Sequence, residues 1–258
     1  MIRAIIALCM LLMPGVNVAI AEVITIAAAS DLNFVFRELV AEYEQLTGDR
    51  VRLSLGSSGN FYAQIQNGAP FDLYFSADIA YPRKLEEAGL TVPGSLYSYA
   101  IGRIVLWAGK DSRFDLSKGL EILRESTVKK IAIANPKHAP YGRAAVGAME
   151  QAQVYDRVKD KLVFGENISQ AAQFVESGAA DIGIIAMSLA LAPPMQAAGR
   201  YWEIPADVHP PIEQGAVIIK GAKNQERAKA FLSFVQSAEG QAMMKRYGFI
   251  VPSSEIRP

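Results

Sequence analysis

The chain has 258 residues, 51% of them hydrophobic and 20% charged, which is enough for one large or two modest α/β domains with a proper core. Its 26 basic and 26 acidic residues cancel, so no net field draws in nucleic acid or anionic lipid, and no nucleic-acid partner is expected. The single cysteine, Cys9, excludes a disulfide framework.

Residues 1–21 read as a signal peptide. Arg3 is its positive end, Ile5 to Met13 is an apolar run too short to span a bilayer, and Ala19-Ile20-Ala21 fits the small-residue cleavage rule. Cleavage after Ala21 removes Arg3 and Cys9 and leaves 25 basic against 26 acidic residues. Leu8 stands before Cys9, where a lipid-modified cysteine has a small residue. The expectation is a soluble protein exported to the periplasm.

Val23 to Ser30 (VITIAAAS) alternates β-branched residues and ends in small ones, as a buried strand does. Leu32, Val35, Leu39, Tyr43 and Leu46 recur at helical spacing, and Gly48 stops that helix. Ser30 thus stands at a strand end and a helix start, as an N-cap or as a ligand contact. A second strand, Val51 to Leu55, runs into Gly56-Ser57-Ser58-Gly59, a turn with almost no bulk. A helix from about Asn60 to Asn67 aims its free N–H groups at the same point. Such a turn is either a plain helix cap or an anion site without charged side chains. Phe71 to Asp78 is a third strand, and a helix from Pro82 to Ala88 closes at Gly89. Tyr99 to Trp107 is a long apolar strand broken only by Gly102 and Arg103, long enough to leave one sheet and enter another.

A second set of β-α units follows. Ile131 to Asn135 is a strand, Pro136 to Gly142 a turn-rich loop, and Arg143 to about Ala152 a helix. Leu162 to Phe164 is a short strand, and Asn167 or Ser169 caps a helix that ends at Gly178. Asp181 to Ala186 is another buried strand. Pro193-Pro194 and Pro210-Pro211 bracket an irregular piece holding Tyr201 to Ile204. Ala216 to Gly221 is the last strand, before helices at about Gln225 to Gln236 and Ala238 to Tyr247. The unit of strand, small residues and helix start recurs at Ser30, at Ser58, near Tyr141 and near Ile168. Two sheets facing each other across two crossing segments would aim four helix N-termini into one cleft, which favours the anion site over four unrelated caps.

Enzyme chemistry is thin. His138 and His209 sit among prolines, away from any Cys, Asp or Glu at metal-ligand spacing, and read as loop histidines. No G-x-S-x-G elbow is present, the glycine turn lacks the lysine of a P-loop, and a nucleophile at Ser57 or Ser58 would need a distant histidine.

VITIAAASDL, GSSGNFYAQIQNGAPFDLYFSAD, NPKHAPYGRAA and KRYGFIVP, in that order over essentially the whole mature chain, resemble the periplasmic molybdate-binding proteins of ABC transporters. The resemblance implies an α/β, type II periplasmic-binding-protein fold of two lobes joined by a two-strand hinge, with the ligand cleft between them. Lobe 1 would hold residues 22–102 plus 216–258 and lobe 2 residues 103–215. It implies a monomeric transport receptor, not an enzyme, with no cofactor. The ligand would be molybdate or tungstate, passed to an ABC transporter membrane permease. Ser30, Ser58, Tyr141 and Ile168 would hold the molybdate through its oxygens by neutral hydroxyl and N–H donors. Asp31 would add its N–H and turn its carboxylate toward its own helix start. Some family members place a ligand-binding tyrosine where this chain has Ala186, and Tyr141 stands where they carry a small residue. Sulfate and phosphate remain alternative ligands, with Asp31 as the candidate acceptor for a phosphate proton; a periplasmic acyl- or phosphoryl-transfer enzyme is the other alternative. Neither histidine is assigned a ligand contact, so affinity is expected to be nearly flat between about pH 6 and 8.

Overall fold

The computed structural model describes residues 23–252, and the expected signal peptide and cleavage after Ala21 lie outside them. Lobe 1 is laid down first. Strand β1 (Val23–Ala29) leads through a 3-10 turn at Ser30–Leu32 into helix α1 (Asn33–Thr47). Then β2 (Arg50–Gly56) precedes α2 (Ser58–Gln66), β3 (Leu73–Ser76) precedes α3 (Ala80–Glu87), and β4 (Tyr97–Gly102) leaves for the second lobe.

Lobe 2 opens with β5 (Ile104–Gly109) and β6 (Ile131–Ala134), which feeds α4 (Pro140–Gln151) and the one-turn α5 (Tyr155–Val158). Next come β7 (Leu162–Gly165) with α6 (Ile168–Glu176), and β8 (Ile182–Ala186) with the short α7 (Met187–Ala190) and α8 (Pro193–Ala198). After β9 (Gly199–Glu203) the chain returns through β10 (Ile212–Ile218) and ends lobe 1 with α9 (Gln225–Gln236) and α10 (Ala238–Arg246).

Each lobe carries one five-stranded sheet, ordered β2-β1-β3-β10-β4 and β7-β6-β8-β5-β9. In the first, β1 runs parallel to β2 and β3, and β10 antiparallel to β3 and β4. The second repeats the plan, with β6 parallel to β7 and β8, and β5 antiparallel to β8 and β9. In lobe 1 Phe36 meets Phe75 edge to face at 4.8 Å, while Trp107 is fully buried in lobe 2.

Gly102-Arg103 does split the long apolar run, leaving β4 in one sheet and β5 in the other. Three local expectations shift. Gly199 to Glu203 is a regular strand on β5, and Pro193-Pro194 opens a helix, where proline's missing N–H costs nothing. Helix α4 starts at Pro140, three residues before Arg143, for the same reason. β10 starts at Ile212, not Ala216, because Ile212 and Glu213 already pair with Gly102 and Ile101.

The parallel strands end at the interlobe face, so the first turns after β1, β2, β6 and β7 all begin there. Gly142 seats α4 in this arrangement: a Cβ there would lie 2.2 Å from the Ala134 carbonyl oxygen and 2.9 Å from the Pro136 nitrogen, both backbone atoms that cannot swing aside. Gly142→Ala should therefore destabilise the protein by about 1–3 kcal/mol in urea unfolding, as overpacking does. An unchanged midpoint would show that this contact does not fix the helix.

Candidate functional site

A small cavity lies between the lobes, with about 10 Å³ open to the centre of a water-sized sphere, about the room that one water needs. Ser30 and Asp31 reach it from the turn after β1, Ser57 and Ser58 from the start of α2, Tyr141 from the first turn of α4, and Ile168 as the first residue of α6. All five residues singled out in the sequence thus line one cavity. No lysine, arginine or histidine side chain lines it, and Asp31 is its one ionisable carboxyl.

The N–H groups of Ser58, Tyr141 and Ile168 stand in the first turns of their helices, where position alone denies them an intrahelical acceptor. Each such terminus carries partial positive charge. The two serine hydroxyls are not helix caps. Ser58 Oγ accepts from the Ala77 N–H at 2.9 Å, and Ser30 Oγ accepts from the Ser169 N–H at 3.3 Å. Each oxygen accepts a hydrogen bond from a backbone N–H, which leaves its own O–H to donate elsewhere. Capping of α6 falls to Asn167, whose side chain accepts from the Gln170 N–H at 3.1 Å. Ala186, at the end of β8, is buried and brings no polar group to the site.

The lobes touch all around the cavity. Ser169 Oγ donates to the Ser30 carbonyl at 2.8 Å, and Ser188 Oγ to the Asp31 carbonyl at 2.7 Å. At the mouth the Gly59 N–H donates to the His138 carbonyl at 2.9 Å, and His138 Nδ1 lies 2.9 Å from Ser57 Oγ. Asn60 bonds Glu166, and Arg143 pairs with Asp78. His138 lies in a loop, as expected, and that loop meets the other lobe. Its loop follows β6, and every such loop lies on the interlobe face.

Asp31 keeps its carboxyl near the N–H groups of its own helix start, as expected, and also finds partners from distant segments. Its Oδ2 accepts from Tyr141 Oη at 2.9 Å and from Gln214 Nε2 at 2.8 Å, and Oδ1 has no hydrogen-bond partner. The side chain is 1% exposed. Burial pushes the carboxyl from its ordinary 3.8 up to about 6, against the opposing pull of Gln214, Tyr141 and the nearby N–H groups of Asp31 and Leu32. The phenol of Tyr141 is held well above its usual range by burial and by Asp31. Gln214, Ser169 and His138 were not singled out as site residues. For Gln214 the available signal was an amide standing directly before the apolar run Gly215 to Ile219, where an unpaired polar group is costly once buried.

The family described as bacterial extracellular solute-binding protein matches residues 24–250. The molybdate-binding protein ModA of Azotobacter vinelandii is 38% identical over 226 residues, covering 88% of this chain and 89% of that protein. The molybdate-binding protein ModA of Rhodobacter capsulatus is also 38% identical, over 90% of this chain and 89% of that one. Among solved structures, the periplasmic molybdate-binding protein of Azotobacter vinelandii superimposes with a TM-score of 0.84 at 34% identity, covering 89% of this chain and all of that one.

Asp31 gives the site a titration signature. Its carboxyl is raised on folding, so the folded state holds more proton than the unfolded state between about 3.8 and 6. Its stabilising contribution is therefore complete below about pH 4 and is lost as pH rises through 6. Asp31→Asn removes that dependence while keeping an acceptor for Tyr141 and Gln214. Relative to the parent, the variant should gain up to roughly 3 kcal/mol on going from pH 4 to pH 8. Urea midpoints at the two pH values measure it, and an equal difference at both would contradict the assignment.

Proposed function

The chain belongs to the bacterial extracellular solute-binding proteins and, within them, to the molybdate-binding group, and from that premise we propose that it captures molybdate, and tungstate equally, in the periplasm and delivers it to an ABC transporter permease. The observation that carries this reading is the cavity itself, a small space between two lobes, faced by serine hydroxyls and helix N-termini and, among the described residues, by no cationic side chain.

The ion is held through its oxygens. The Ser30 and Ser58 hydroxyls and the N–H groups of Asp31 and Ser58 are the lobe 1 donors; the N–H groups of Tyr141 and Ile168 are the lobe 2 donors. A dianion stripped of water loses a large hydration energy, and these fixed donors with several helix dipoles offset it. Lobes seated as closely as here leave room for about one water, so around a five-atom anion they close slightly less far. Selection against sulfate is by size, the donors being set for an oxygen tetrahedron larger than sulfate's. The lobes divide at 102/103 and in the stretch 212–216, and the signal peptide is removed after Ala21.

An acyl- or phosphoryl-transfer enzyme gains one point from the structure, since Ser57 and His138 do meet. They meet only across closed lobes, and Glu166 stands 4.0 Å from the far ring nitrogen, too distant to orient it by a hydrogen bond. A substrate larger than a small ion would hold them apart.

Molybdate and tungstate at a thousandfold above the dissociation constant should stabilise the protein by roughly 4 kcal/mol, a melting shift of about 10 °C. Sulfate and phosphate at equal concentration should do far less, and equal shifts for all four anions would refute selection by size. Ser30→Ala and Ser58→Ala should each weaken molybdate binding by roughly tenfold to a hundredfold in isothermal titration. Two variants that bind like the parent would move the site elsewhere.

A further inference from the structure

Behind the cavity, where β4 and β10 cross between the lobes, four side chains form one buried polar cluster. Gln214 on β10 is fully buried, and its single amide nitrogen donates to Asp31 Oδ2 at 2.8 Å and to Tyr141 Oη at 2.9 Å. The Tyr141 hydroxyl in turn donates to Asp31 at 2.9 Å. Tyr99 on β4 donates to Gln214 Oε1 at 2.6 Å. We propose that Gln214 is a positioning residue that latches the two lobes: from the crossing strand it ties Asp31 of lobe 1 to Tyr141 of lobe 2, and so sets the register of the backbone groups facing the anion.

Three observations carry this. The partners ride on different bodies: Asp31 follows β1, Tyr141 opens α4, and Gln214 belongs to the strand about which the lobes must turn. Opening the cleft has to part Tyr141 from Asp31, and the bond set exists only when the lobes are closed.

The amide is also oriented. Tyr99 donates to its oxygen, which turns the nitrogen toward the carboxylate; the reversed amide would set two acceptors face to face. Finally, the facing strand leaves room for the latch. A Cβ on Gly102 would lie 2.2 Å from Tyr141 Oη and 2.7 Å from Gln214 Nε2, so only a residue without a side chain lets the hydroxyl seat.

Asp31 and Tyr141 each have a backbone N–H in a first turn facing the cavity, and their side chains are the ones joined behind it. The latch deepens the molybdate-receptor reading, and only its binding arm rests on that reading.

Tyr141→Phe removes both bonds that reach the Tyr141 hydroxyl, Gln214→Leu removes one of them and the support of the other, and both leave the serine hydroxyls untouched. In stopped-flow displacement of molybdate from the mature protein, each should speed dissociation by about tenfold while association stays within about threefold. The Gln214→Leu/Tyr141→Phe double variant should dissociate no faster than about threefold beyond either single one, because both cut the same link. Ser58→Ala combined with Gln214→Leu should multiply their separate effects. A merely structural glutamine would lower stability and leave the rates and this pattern of coupling unchanged.

Without ligand, small-angle scattering should show a larger radius of gyration for Tyr141→Phe than for the wild type. If Gln214→Leu fails to fold, Tyr141→Phe and Gly102→Ala carry the same rate test. Dissociation within threefold of wild type in the folded variants, or independent effects in the double variant, overturns the latch. A wild type that ignores molybdate removes the functional reading alone. The ligand-free scattering then decides the latch, and an unchanged radius overturns it.

Discussion

When two lobes close on a space with room for about one water, every polar group facing that space loses its solvent. That constraint shapes the rest of the site. A cationic side chain would bind any anion by charge and would need a partner whenever the cleft emptied, and none lines the cavity. Helix first turns, and a hydroxyl held from within its own lobe as Ser58 is by the Ala77 N–H, keep their geometry with or without an ion. The one group that breaks the pattern is Asp31, whose carboxyl is pushed up to about 6 because burial costs its charge more than Gln214 and Tyr141 return.

The same constraint accounts for the symmetry of the two sheets. In each, parallel strands end on the interlobe face, so each lobe contributes two helix starts from two neighbouring β-α units. The contacts that close the mouth are modest by comparison. Arg143–Asp78 and Asn60–Glu166 are partly exposed, and exposed pairs of this kind contribute about 0–1 kcal/mol. Closure is then a balance that a well-bound anion tips, as a ligand with unequal affinity for two conformations must.

How far the sequence revealed this depended on the kind of signal. Ser30 and Ser58 were visible because a strand pattern of period two gives way to a helical one at a small residue, and Gly102-Arg103 because it interrupts an otherwise continuous apolar run. Strand β9 was hidden: Tyr201, Trp202 and Glu203 lie on an edge strand with little burial, so no alternation marks them, and neighbouring prolines suggested a loop. The distant contacts of Asp31 were hidden for another reason. Its partners are Tyr141, 110 residues away, and Gln214, 183 residues away, and only the crossing of β4 and β10 brings them together. The contacts of His138 were hidden likewise, since its partners Ser57, Gly59 and Glu166 come from other segments and meet it at the mouth.

On the proposed function, a tetrahedral metal oxyanion sits between the lobes and touches only neutral donors. A crystal structure of the mature protein grown with molybdate, with the metal located by its anomalous scattering, tests this most directly. One strong peak is expected inside the cavity, with oxygens in hydrogen-bond contact with the Ser30 and Ser58 hydroxyls and with the Tyr141 and Ile168 N–H groups. A peak on the outer surface, or a metal bonded directly to a protein side chain, would contradict it.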